Sequence, residues 1–81
     1  MNVILSSIMA TLTLVTLLNF MAGDFCSSRA RGIDVVKSVL ISYGRAVDKY
    51  GAVNVNRVVE KSPGLQAAAV ATVLTKCPTS I

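Results

Sequence analysis

The chain has 81 residues, of which 53% are hydrophobic and 15% charged, with a formal net charge of +4 and neither histidine nor tryptophan. That length allows one small domain, whose core is marginal without a staple or a partner. A mean hydropathy of +0.65 excludes a polar disordered chain and lies toward proteins buried in membranes or assemblies, and without histidine, a Gly-rich phosphate loop or paired carboxylates no catalysis, cofactor, metal or small-molecule substrate is expected.

Residues 2–23 carry no charged side chain. Val3, Ile4, Leu5, Ile8, Leu12, Leu14, Val15, Leu17, Leu18 and Phe20 keep this run predominantly apolar. At about 1.5 Å per residue a helix of this length reaches about 30 Å, the thickness of a bilayer's hydrocarbon core. The run predicts a long N-terminal helix over 1–23, membrane-spanning or buried in an assembly, with Leu14 and Leu17 in its packing surface. A cleaved signal peptide is the alternative. Against it stand an n-region with no basic side chain, a run that is long for a signal, and Met21-Ala22-Gly23, a poor match to the small-x-small cleavage rule. Ser6, Ser7, Thr11, Thr13, Thr16 and Asn19 scatter around the helix, which argues against an orientation flat in the interface. Their polar groups bond back to the helix or across to a neighbour.

Asp24 to Gly32 reads as a polar hinge. Arg29, Arg31 and Lys37 follow the apolar run and no basic side chain precedes it, so the positive-inside rule puts the C-terminal region in the cytoplasm. The same three residues suit anionic headgroups or an acidic partner. Nucleic acid is disfavoured: the basic residues are dispersed and Phe20, Phe25, Tyr43 and Tyr50 are the only aromatics.

Over 33–50 the apolar spacing becomes helical, with Val36, Val39, Leu40, Tyr43, Val47 and Tyr50 on one stripe. This amphipathic face is expected to pack on the chain's own helices, with docking on a membrane or partner helix as the alternative. Gly51 suits a C-terminal stop and Gly44 is a mid-helix weakness or close-contact point. Asn54 or Asn56 could cap a helical turn through Arg57 to Lys61.

Ser62-Pro63 predicts a fresh start, with Ser62 as N-cap and an apolar helix over 63–76. Gly64, Ala68 and Thr72 recur every fourth residue, a spacing that lets another backbone approach closely. Cys26 and Cys77 lie just past the two most apolar segments. A disulfide between them would close a loop of about fifty residues and stabilise the fold by about 4 kcal/mol on the loop-entropy model, but needs an oxidising compartment. A cytoplasmic C-terminal region would instead keep both thiols reduced.

The fold class read from these elements is all-α: a long apolar helix over 1–23, then a basic region, 24–81, with two shorter helices in a hairpin-like arrangement. The function that follows is a non-enzymatic structural subunit, packing with copies of itself, with other membrane-complex subunits or with lipid, in a membrane or an extracellular membrane-derived filament. Its layout is similar to that of pilin-like and filamentous coat proteins, in architecture alone. The alternative is a secreted, disulfide-stapled helical peptide acting on a membrane or receptor.

Overall fold

The computed structural model describes residues 12–78. These form four helices: α1 (Leu14–Ala30), α2 (Val35–Tyr50), α3 (Ala52–Glu60) and α4 (Leu65–Lys76). No strand occurs among the described residues, so the all-α class holds. The first half of the expected N-terminal helix lies outside the described residues. Residues 14–23 are helical, but they belong to an element that runs on to Ala30.

Thr13 starts α1: its extended backbone places Oγ1 to accept from the Thr16 N–H at 3.2 Å. This satisfies one of the unpaired donors of the first turn. The helix then passes through Asp24, where the sequence suggested a hinge. Asp24 is tolerated because it faces a cation: Arg45 Nε of α2 donates to its Oδ2 at 2.7 Å. The stop comes at Gly32, whose φ of +83° is a left-handed conformation that side chains other than glycine resist. Gly32 N–H donates to Arg29 O at 2.9 Å and Ile33 N–H to Ser28 O at 3.1 Å, the paired bonds of a Schellman motif. The turn therefore occupies 31–34 rather than 24–32.

Asp34 caps α2 by accepting from the Lys37 N–H at 2.8 Å, so its side chain serves the helix end as a cap. Gly51 ends α2 with φ +89° and is also the residue before α3. One left-handed residue thus makes the whole connection. Asn54 Nδ2 reaches back to Tyr50 O at 2.8 Å, satisfying a carbonyl the α2 terminus leaves open. The stretch expected to hold one helical turn is a helix of nine residues, which makes three helices after the first. Ser62 does not cap α4: its Oγ donates to Val58 O at 2.6 Å, closing α3, and α4 begins two residues beyond Pro63 with no side-chain cap.

The core gathers Leu17 of α1, Ala46 of α2, and Val55 and Val58 of α3, with Leu14, Phe20, Met21, Val47 and Tyr50 partly buried around them. Phe20 and Tyr50 meet edge to face at a centroid distance of 5.5 Å, and Lys49 Nζ lies 5.0 Å from the Phe20 centroid. A second buried set, Leu18, Ala22 and Phe25, lies outside that cluster. Leu18 and Ala22 sit about two turns and one turn before Cys26, which is bonded to Cys77 beyond the end of α4 with Cα atoms 5.9 Å apart. That ridge is the side of α1 on which α4 rests.

No residue of α4 is fully buried. Burial alone therefore holds α4 weakly, and the cross-link supplies what packing lacks. Reducing Cys26–Cys77 should lower the protection of α4 amides by about 2–5 kcal/mol, whereas amides near Leu17, Ala46 and Val55 should lose less. Native-state hydrogen exchange with and without a dithiol reductant measures this, and uniform loss of protection would contradict it.

Candidate functional site: an outward apolar face

α2 is rotated away from its hydrophobic pattern. The side chains that meet α1 are Ser38, Ser42 and Ala46, exposed by 0%, 2% and 0%. The apolar stripe beside them is open: Val36 is 69% exposed, Leu40 64%, and Val35, Val39 and Tyr43 are exposed as well. Only the C-terminal end of the stripe, Val47 and Tyr50, packs against the core.

Local chemistry accounts for this rotation. Burying a hydroxyl costs free energy unless it is bonded. Ser38 Oγ donates to Ile33 O at 3.3 Å and Ser42 Oγ to Val39 O at 2.8 Å, so both are satisfied without leaving their own chain segment. Small side chains at i, i+4 and i+8 form a low ridge against which a second helix can lie closely. The Asp24–Arg45 pair and the stacking of Lys49 over Phe20 engage the flank of α2 that carries Arg45 and Lys49. Rotating the valines inward would break both contacts and force larger side chains into the seam. The ion pair itself, with Arg45 65% exposed, selects the rotation more than it stabilises the fold.

At the edge of the open stripe Tyr43 Oη donates to Asn56 Oδ1 of α3 at 3.1 Å, which fixes the ring. On the far flank of the seam lies a small polar cleft formed by Asp24, Ser27, Ser28, Arg31, Ile41 and Arg45. Arg31 and Lys37 are exposed. Arg29 is half-buried and folds back, its Nη1 donating to Ile33 O at 2.7 Å.

Leu17 is wholly buried and Leu14 partly so, both packed within the unit itself. Ala68 and Thr72 are half-buried, and Thr72 Oγ1 donates to Ala68 O at 2.8 Å. Gly64 is exposed and a Cβ there would meet nothing within 4 Å, so it marks no close approach within the chain. The same holds for Gly44. On the outer side of α4, Ala67, Val70, Ala71 and Leu74 line a shallow apolar groove. Cys26 and Cys77 come together as a bonded pair.

Sequence reasoning passed over the Ser38–Ser42–Ala46 ridge, although its four-residue spacing of small side chains is the signal that drew attention to Gly64, Ala68 and Thr72. It also left Asp24 without the partner that carries α1 through the expected hinge. Among the described residues no helix is long and apolar enough to cross a membrane. No protein-family model matches the chain, and no curated protein or solved structure matches it either.

The outward face gives a sharp expectation. Ser42→Leu should destabilise the fold by about 1–3 kcal/mol through overpacking the seam. Leu40→Ser, which removes an apolar side chain at a helical stripe position, should change stability by no more than about 0.5 kcal/mol. Denaturant unfolding of the two variants decides it, and the reverse order would place the valine stripe inside.

Proposed function

We propose that this chain is a non-enzymatic structural subunit, a small helical protein that joins a membrane-associated assembly through apolar surface it does not cover itself. The observation that carries this reading is the open stripe of α2. A chain with ample apolar residues that spends serine and alanine on its own seam and leaves valine and leucine outside is suited to contact with something else, because contiguous apolar patches of more than a few hundred Å² are uncommon on monomeric soluble proteins. The outer groove of α4 and the uncharged run over 2–23 support the same reading.

The bonded cysteine pair favours an oxidising surrounding for the C-terminal region. That runs against the cytoplasmic side suggested by Arg29, Arg31 and Lys37, and we give the cross-link more weight: it is a specific pairing, whereas three basic residues set only a bias. The pair also supports the second reading, a secreted stapled peptide. Trimming near residue 23 would, however, remove Leu17, Leu18 and Ala22, three of the seven buried apolar residues among those described. Such a peptide would need to rebuild its core.

Non-reducing intact mass of the chain from membrane, particle and secreted fractions of its native source separates the two readings. The subunit requires a chain retaining residues 14–23, two hydrogens lighter than its reduced form, in the membrane or particle fraction. A chain starting near Asp24 in the medium would establish the secreted peptide instead.

A further inference from the structure

We infer that the open stripe of α2 is a seat for an anionic lipid surface, so that the helix lies along the headgroup boundary with Val36, Val39, Leu40 and Tyr43 turned into it. The inference deepens the proposed membrane association and rests on it. Its starting point is what the stripe lacks. Val35, Val36, Val39 and Leu40 offer no hydrogen-bonding side-chain atom, and the single polar atom of the stripe, Tyr43 Oη, is already spent on Asn56. A partner that recognises by directional bonds finds nothing here to bind. A fluid apolar phase needs only area, which the stripe supplies.

Charge decides between lipid and a second copy of the chain. Each copy carries +4, so two copies meeting on this face bring like charges together, whereas an anionic bilayer presents the opposite sign. Lys37 borders the stripe, lying between Val36 and the buried Ser38 in sequence and one turn before Leu40. It is exposed and makes no ion pair among the described residues. Beyond the Tyr43–Asn56 contact, Arg57 and Lys61 follow on and just after α3, both exposed. A ring placed at the headgroup level with its hydroxyl held by a polar neighbour is also the usual position of an interfacial tyrosine.

The chain has no tryptophan, so one introduced indole reports its own surroundings. Leu40→Trp and Ser27→Trp place it on the apolar stripe and in the polar cleft on the far flank of the seam, both at exposed positions. The full-length oxidised chain is mixed with vesicles of phosphatidylcholine containing phosphatidylglycerol. Co-sedimentation reads binding; emission wavelength and quenching by brominated acyl chains read depth. The expected result is sedimentation with a blue-shifted, quenched indole at position 40, an unquenched indole at position 27, and a response that weakens in strong salt. Lys37→Gln should reduce the headgroup-driven part of binding about fivefold.

Sedimentation with a water-like indole at position 40 would overturn the inference while leaving membrane association by the N-terminal run intact. Failure to sediment at all would overturn both. A blue shift that follows protein concentration without lipid would assign the stripe to a second copy, and an equal response with phosphatidylcholine alone would overturn the role of charge.

Discussion

The arrangement depends on the seam between α1 and α2. Its three buried side chains, Ser38, Ser42 and Ala46, are among the smallest available, and the two hydroxyls find acceptors on carbonyls three and five residues back. A low ridge brings the helices close over its length, and closeness sets the positions of the other contacts. It brings Asp24 within reach of Arg45 and sets the Phe20 ring against Tyr50. It also forces the bulkier residues of α2 out of the seam. Hydrophobic burial, the usual driver of helix orientation, is here subordinate to fit.

α1 is the common support. α2 and α3 meet it at the Leu17 cluster, and α4 meets it along the ridge that leads to Cys26. These two halves are stabilised differently. The first has side chains removed from water and a dense set of backbone caps at 31–34 and 51–54. The second has only half-buried alanines, threonine, leucine and valine, with a covalent bond at its end. A cross-link acts mainly by restricting the unfolded chain, so it can hold a helix that buries too little to hold itself. In a chain this short such a division is expected, because surface grows relative to volume as size falls.

Much of this was legible in the residues. Gly51 as a stop depends on local chemistry and follows from sequence, whereas Cys26 and Cys77 read as a candidate pair whose bonding the residues left open between a disulfide and two reduced thiols. The extent of α1 did not follow, because Asp24 reads as a breaker of an apolar run until Arg45, twenty-one residues on, is brought opposite it. The rotation of α2 was hidden for a related reason. Periodicity locates an apolar stripe but carries no information about which neighbour is nearest, and here the neighbour selects the small residues beside the stripe. Ser62-Pro63 misled because a serine hydroxyl can donate to the carbonyls that close one helix or accept from the N–H groups that open the next; here it donates to Val58 O and the following helix has no side-chain cap.

The open stripe and the cross-link bear on each other. If the outward valines were merely tolerated, the chain would lose little by replacing them with polar residues and would gain solubility, since surface apolar groups contribute nothing to a fold they do not touch. Their grouping in one band, beside a seam built from serine and alanine, divides α2 into one side cut to fit α1 and another left open. A cross-linked α4 then has a further consequence. It keeps Leu18, Ala22 and Phe25 covered, so that the apolar surface presented outward is confined to defined faces instead of spreading over α1. The staple thereby limits what the molecule can stick to, which for a protein with this much exposed hydrocarbon matters as much as the stability it adds.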